Sequence, residues 1–229
     1  MLRRIFALIL TIFILLSFNF SIFASGNTKE YYSKRNSQNK IALTFDDGPH
    51  PRYTPKILDI LDKYNVKATF FIIGIIARNY PDTLKMVAER GHQIGNHTFT
   101  HEYVKGKSIE NINIDLKDCE NEIFKICGEK TVVFRPPGGL IDHISVSQSD
   151  VFDGYDIIYW SIDTLDWAHK SPEEIAEKVL GNVKSGDIIL MHDYIGKNSP
   201  TPEALEIILP KLIERGFEFV TVSELIALN

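Results

Sequence analysis

Four side chains in this sequence have the types and spacing of a metal site. Asp46 and Asp47 are adjacent, and His97 and His101 are four residues apart. On a helical turn that spacing places both imidazoles on one face, where they can bind one ion. Adjacent carboxylates repel each other unless a cation relieves the charge, and two histidines with one carboxylate suit a catalytic zinc or another first-row divalent metal. The spacing leaves open which aspartate binds the metal and which acts on water.

A second group of side chains suits proton transfer and substrate binding. His192 follows an apolar run and can act as a general acid, because histidine exchanges protons near neutral pH. Asp163 or Asp166 could hold its ring in the protonated form. Arg135 keeps its charge in any environment and precedes a rigid Pro-Pro-Gly-Gly segment, while Trp167 could form one wall of a small apolar pocket. Each of these residues also has an ordinary structural role open to it, in the core, in a surface ion pair or in a turn.

The elements that must position these side chains are short strands alternating with helices. Seven runs rich in β-branched and aromatic residues predict strands, at 41–46, 67–73, 92–96, 131–134, 156–160, 187–191 and 217–221. This alternation predicts an α/β fold of about seven parallel strands in a single domain, with helices outside. Functional groups gather at the carboxyl ends of parallel strands, and nearly every candidate residue follows such an end. A nearly closed barrel and an open doubly wound sheet both fit the periodicity.

Proline, serine and glycine mark the ends of the predicted helices. Serine caps the amino end of a helix, proline fits its first turn, and glycine ends it. These signals predict helices over 54–65, 81–91, 108–128, from 171 onward and over 201–216, with a kink at Pro210. Cys119 and Cys127 share one helix, and a rise of about 1.5 Å per residue separates their Cα atoms by roughly 12 Å, too far for a disulfide.

The first 25 residues form a separate segment. Arg3 and Arg4 precede an almost wholly apolar run at 5–24, which predicts either a cleaved signal peptide or an N-terminal membrane anchor. Either segment contacts the membrane with its basic end in the cytoplasm, so we expect the domain on the extracellular or cell-wall side. The polar residues 26–39 predict a linker, and residues 40–229 predict one catalytic domain.

Composition narrows the class of protein. The chain has 229 residues, of which 44% are hydrophobic and 24% charged, which is typical of a globular domain with a sizeable core. The formal net charge of -5 argues against a nucleic-acid partner, since such proteins usually carry a basic face. We expect a monomer.

Five short motifs together resemble the polysaccharide deacetylase family, also described by the NodB homology domain and carbohydrate esterase family 4. They are TFDDGP at 44–49, HTFTH at 97–101, RPP at 135–137, DTLDW at 163–167 and LMH at 190–192. The resemblance covers about residues 40–226. It implies a distorted (β/α) barrel and the metal-dependent removal of N-acetyl groups from a cell-surface polysaccharide, such as peptidoglycan or a chitin-like polymer, with release of acetate.

The resemblance also implies a role for each matching residue. Asp46 is the expected general base, Arg135 orients it, and Asp166 tunes the catalytic His192. The expected ligands of one divalent metal, zinc first and cobalt, nickel or manganese as alternatives, are Asp47, His97 and His101. The expected substrate contacts are Pro137, Gly138, Trp167 and Leu190.

One departure from the family pattern and three other functions bear on this interpretation. The family often has an aromatic residue where this chain has Gly138, which keeps the backbone N–H for an oxyanion but removes an aromatic wall. An O-acetyl esterase acting on acetylated xylan would use the same site. A non-catalytic glycan-binding protein would lack an acid or a ligand, and none is missing. A zinc peptidase would usually show H-E-x-x-H, which the segment 97–101 does not.

Overall fold

The computed structural model describes residues 28–142, 146, 149–194, 196 and 198–228. The predicted signal peptide or anchor at 1–25 lies outside these residues. Across the described part of the chain, no helix combines the length and apolar character needed to cross a membrane.

Nine strands form one sheet around the centre of the domain. They are β1 (Glu30–Tyr31), β2 (Lys40–Gly48), β3 (Thr69–Ile72), β4 (Gln93–Asn96), β5 (Val133–Phe134), β6 (Asp156–Ile158), β7 (Ile162–Asp163), β8 (Ile188–His192) and β9 (Glu218–Val220). Their order is β1-β6-β5-β4-β3-β2-β8-β7, β9 pairs with β2, and the strand pairs are parallel. The described part of the sheet has no pairing between β1 and β7, so the barrel is incompletely closed. The predicted distorted barrel is confirmed.

The described part of the chain contains seven α-helices, most of which lie between consecutive strands. They are α1 (Tyr53–Lys63), α2 (Gly74–Asn79), α3 (Pro81–Glu89), α4 (Ile109–Cys127), α5 (Pro172–Asn182), α6 (Thr201–Glu214) and α7 (Val222–Ile226). Ser108 and Ser171 cap α4 and α5 with their side chains, as the sequence predicts. Helix α6 continues through Pro210, and both cysteines are free. The short helices α2 and α7 were not predicted, because neither is long enough to show a helical period.

Part of the segment at 26–39, which was predicted to be a linker, pairs with the sheet. Strand β1 pairs with β6, and Ser33 bridges to Asp187 on the other side of the sheet. The Arg35 guanidinium lies 2.7 Å from the Asp187 carboxylate. Backbone pairing, this ion pair and the stacking of Tyr32 on Tyr159 hold the segment. These contacts join it to distant parts of the chain, so the local polar composition did not indicate a strand.

Strand β2 packs a hydrophobic cluster on each face and carries the first site residue near its carboxyl end. Leu43 and Phe45 belong to the large hydrophobic cluster that also contains helix residues, whereas Ala42 belongs to a different cluster. Side chains alternate between the two faces of a strand, so Thr44 and Asp46 share the face of Ala42. The last polar residue on that face therefore lies at the carboxyl end of β2, where the site begins.

Candidate active site

Most candidate residues line one cavity at the carboxyl ends of the strands. The cavity has a volume of about 390 Å³. Its lining residues are Asp46, Asp47, His97, His101, Tyr103, Gly138, Trp160, Asp163, Trp167, Leu190 and His192. The structure thus brings together residues from four of the five motifs, and Gly138 directly follows the remaining motif at 135–137.

A bulge in β2 lets two adjacent aspartates reach the same cavity. Neighbouring residues of a regular strand point to opposite faces. The pairing of β2 with β3 shifts register between Asp46 and Gly48, and Asp47 has φ of 74°, in the left-handed region. A bulge of this kind re-aims a side chain. Asp46 therefore keeps the direction set by the strand, while Asp47 turns towards the histidines.

Asp47, His97 and His101 are spaced as ligands of one metal ion. Asp47 Oδ1 lies 3.4 Å from His97 Nε2 and 3.1 Å from His101 Nε2. Zinc bonds to nitrogen and oxygen of about 2.0–2.2 Å place tetrahedral ligand atoms roughly 3.3–3.6 Å apart. One potential ligand atom from each residue lies within 4.8 Å of the others. These distances fit a single first-row divalent cation.

The hydrogen bond of His97 supports the same fit. His97 Nδ1 lies 2.7 Å from the Arg135 carbonyl oxygen, which can only accept, so Nδ1 carries a proton and Nε2 is the ring nitrogen that faces Asp47. Asp47 Oδ1 is buried and receives no well-directed hydrogen bond within the described chain. Burial alone would raise the pKa of Asp47, but His101 and His97 hold that pKa well below its ordinary range. A carboxylate oxygen and two imidazole nitrogens that converge in this way form an arrangement that a cation satisfies.

Asp46 is held by a fully buried guanidinium. Arg135 Nη1 donates to Asp46 Oδ1 at 2.7 Å and to Thr44 Oγ1 at 2.8 Å. Arg135 also donates from Nε to the Ile158 carbonyl and from Nη2 to the Tyr159 carbonyl. Asp46 Oδ2 lies 3.8 Å from His97 Nε2, on the metal-site side. One carboxylate oxygen is thus fixed by Arg135, and the other faces the cavity.

Asp166, and not Asp163, holds His192. Asp166 Oδ1 lies 2.8 Å from His192 Nδ1, and Asp166 Oδ2 accepts from the His192 backbone N–H and from the Thr201 hydroxyl. Burial alone would lower the pKa of His192, but Asp166 and then Asp46 raise that pKa to about 9. Asp163 instead accepts from the Leu165 N–H and the Trp167 Nε1–H. The geometry settles the contact that the sequence left open.

The predicted substrate contacts divide into two groups. Gly138, Trp167 and Leu190 line the cavity. Pro137 is buried in a 3-10 turn and does not belong to the lining that the described residues form. Proline at this place shapes the turn that carries Gly138, whose φ is 63°.

Sequence reasoning missed two cavity aromatics and one buried acid. Tyr103 and Trp160 both line the cavity. Trp160 ends a predicted strand, and Tyr103 lies two residues after His101. Their positions beside a strand end and a motif were the sequence features that could have identified them as cavity residues. Asp193, next to His192, accepts from the Thr54 hydroxyl, and burial raises its pKa to about 7. Its backbone N–H donates to the Asp46 carbonyl at 3.2 Å, which ties β8 to β2 beneath the site.

Comparison with known proteins places this fold and site in one family. A family model described as polysaccharide deacetylase matches residues 33–157, more than half of the chain. The chain belongs to the polysaccharide deacetylase family, and its enzyme class is that of the polysaccharide N-deacetylases.

Three relatives illustrate the similarity. The chain is 44% identical to a peptidoglycan-N-acetylglucosamine deacetylase of Bacillus cereus, over 83% of this chain and 90% of that protein. A crystal structure of a peptidoglycan N-acetylglucosamine deacetylase with a bound N-oxidanyl-benzamide compound is 34% identical, with a TM-score of 0.83 over 87% of this chain and 94% of that one. A family 4 acetyl xylan esterase from Clostridium thermocellum, in complex with a cobalt ion, is 37% identical, with a TM-score of 0.75 over 81% and 89%.

Proposed function

We propose that this chain is a metal-dependent hydrolase that removes N-acetyl groups from the N-acetylglucosamine residues of a polysaccharide, with peptidoglycan as the first candidate. The single observation that carries the proposal is the arrangement of one cavity. The ligand group of Asp47, His97 and His101 shares this cavity with Asp46, which Arg135 holds, and with His192, which Asp166 holds. The relatives named for peptidoglycan support that polymer. The N-terminal segment at 1–25 supports action outside the cytoplasm, after cleavage or from a membrane anchor.

Amide hydrolysis needs a base for water and an acid for the leaving amine. A divalent cation held by Asp47, His97 and His101 would polarise the acetyl carbonyl and lower the pKa of water at the site. Asp46 accepts the proton from the attacking water through Oδ2, since Arg135 holds Oδ1. Arg135 thereby acts as a positioning residue.

The remaining groups act on the tetrahedral intermediate. The backbone N–H of Gly138, at the cavity wall, donates to the developing oxyanion. His192, with Nδ1–H fixed on Asp166, donates a proton from Nε2 to the amine nitrogen as the C–N bond breaks. The products are acetate and a free amino sugar. Trp167 and Leu190 border the space for the acetyl methyl group.

We expect acetate release from N-acetylglucosamine polymers that depends on a divalent metal. Chelation should abolish release, because it removes the cation that polarises the carbonyl. Added zinc or cobalt should restore it. The measurement is acetate produced from peptidoglycan, chitooligosaccharides and acetylated xylan, with mass spectrometry for loss of one acetyl group.

The result with each substrate supports a different function. Acetate from xylan alone would overturn the N-deacetylase proposal in favour of the esterase, which the similarity to an acetyl xylan esterase makes the second candidate. Glycan binding with no acetate from any polymer would favour a non-catalytic protein. Full activity after chelation would remove the metal from the mechanism.

We expect Asp166→Asn to move the alkaline limit of kcat to lower pH. His192 must be protonated to donate, so activity is present below its pKa, here raised to about 9, and is lost as pH rises through that value. Asp166 is the main group that raises this pKa against the effect of burial. Its neutralisation should shift the limit downward by about one unit or more, because an adjacent opposite charge typically changes a pKa by about 1–3 units. The measurement is the pH profile of kcat.

Asp163→Asn is the matched control for this shift. It removes a carboxylate from the same cavity wall, but one that contacts Leu165 and Trp167 rather than His192. Its alkaline limit should stay where the unmodified chain has it. Equal shifts in the two variants would show that general charge, and not the Asp166 contact, sets the limit.

A further inference from the structure

Two adjacent glycines make room for two aromatic rings at the cavity wall. A methyl group built on Gly138 would come within 2.9 Å of Tyr103 Cε1, and one on Gly139 within 2.8 Å of Trp160 Cη2. Contacts that short are strongly repulsive, so neither ring could keep its place beside a larger residue. The Gly138–Gly139 pair therefore seats Tyr103 and Trp160 against the turn.

Tyr103 is the most exposed aromatic residue of the described cavity wall. It has 61% of its surface exposed, against 52% for Trp167. An exposed tyrosine offers a large apolar face with a polar edge, and such faces are favoured where a ligand packs. The ring lies on the loop after His101, so its position relative to the metal ligands is fixed by the short chain between them.

The loop that carries Tyr103 is anchored on both sides. The Thr100 N–H and hydroxyl donate to the two oxygens of Asp115, at 3.0 and 3.1 Å. Val104 is buried in a hydrophobic cluster with residues of α4. An exposed ring on a held loop loses little further freedom when a ligand packs on it.

We propose that Tyr103 is a specificity-determining residue that stacks on a pyranose ring of the glycan and takes the wall position that Gly138 leaves open. This inference rests on the proposed function for the identity of the ligand. The C–H face of a pyranose ring buries apolar surface against the phenol ring, and the polar sugar edges stay free for hydrogen bonds. The effect falls on binding, because the proposed contact is made with the face of a sugar ring and not with the acetyl group.

The test compares Tyr103→Ala, Tyr103→Phe and Phe124→Ala in the full chain. The probe is a tetramer of N-acetylglucosamine, with its Kd measured by calorimetry and KM and kcat by acetate release. We expect Tyr103→Ala to raise Kd and KM about five- to tenfold, with kcat changed less than about twofold. Tyr103→Phe keeps the ring and should retain the Kd and the KM of the unmodified chain. Phe124 is 51% exposed on α4 and does not line the described cavity, so its replacement should change neither Kd nor KM.

The outcomes separate this inference from the proposed function. If the unmodified chain releases acetate and Tyr103→Ala matches Phe124→Ala in Kd and KM, the stacking role is overturned and the deacetylase proposal stands. If the tetramer binds more weakly to Tyr103→Ala but no variant releases acetate, the stacking role stands and the catalytic proposal fails. If Tyr103→Phe is as weak as Tyr103→Ala, the hydroxyl carries the effect and the stacking role is again overturned.

Discussion

Arg135→Met should destabilise the domain by about 3–5 kcal/mol, the usual cost of breaking a buried ion pair by removing one partner. Arg135 has no exposed surface, and Asp46 is only 4% exposed. Loss of the guanidinium leaves the Asp46 carboxylate and the Ile158 and Tyr159 carbonyls without their donor. The guanidinium also lies 4.1 Å from the centre of the Phe71 ring, so packing is lost as well. The measurement is the free energy of unfolding from urea denaturation at pH 7.

Arg90→Met provides the matched control for this prediction. Arg90 pairs with Asp59 and Asp62, whose side chains are largely exposed, so its loss should cost about 1 kcal/mol or less. The double variant Arg135→Met with Asp46→Asn removes both charges and should be more stable than the two single changes predict by simple addition, with a coupling of about 1–3 kcal/mol. A cost for Arg135→Met no larger than that of the control would show that water or relaxation compensates the buried charge.

The strong local signals in the sequence predicted most of the fold. Ser108 and Ser171 mark helix starts by chemistry that acts over three residues, and the structure places the caps there. The run 187–191 predicts a buried strand from its own composition, and β8 covers 188–192. Strand β1 escaped notice because its partner is more than a hundred residues away and it has only 2 residues, too few to show a period. Barrel closure depends on such distant pairings, which periodicity cannot report.

The site was predictable as a group of residues but not as a set of contacts. Asp46, His97, Arg135 and His192 were found because each follows a strand, and parallel strands end at the same rim. The choice between Asp163 and Asp166 depended on a short turn after β7, and only coordinates show which carboxylate reaches His192. The bulge at Asp47 and the packing of Tyr103 beside Gly138 are equally non-local in sequence. The catalytic roles assigned to these residues stay predictions.

Asp46→Asn should lower kcat for acetate release by about 10²- to 10⁴-fold, the contribution typical of a positioned general base. The amide has nearly the same shape as the carboxylate but cannot accept the proton of the attacking water. KM should stay close to its original value, because Asp46 acts in the transition state more than in substrate binding. The measurement is steady-state acetate release with saturating metal, on protein shown to be folded by circular dichroism, since Arg135 loses its counter-ion in this variant.

Asp47→Asn distinguishes the base from the ligand. Asp47 Oδ1 is the oxygen that faces both histidines, whereas Asp46 Oδ1 is held by Arg135. Asp46→Asn should therefore keep its affinity for zinc within a few-fold, while Asp47→Asn should lose at least about tenfold, because a neutral amide oxygen binds a divalent cation less well than a carboxylate. Equal loss of metal from both variants would make the two aspartates joint ligands and leave the water without an assigned base. A kcat for Asp46→Asn within tenfold of the unmodified chain would exclude Asp46 as that base.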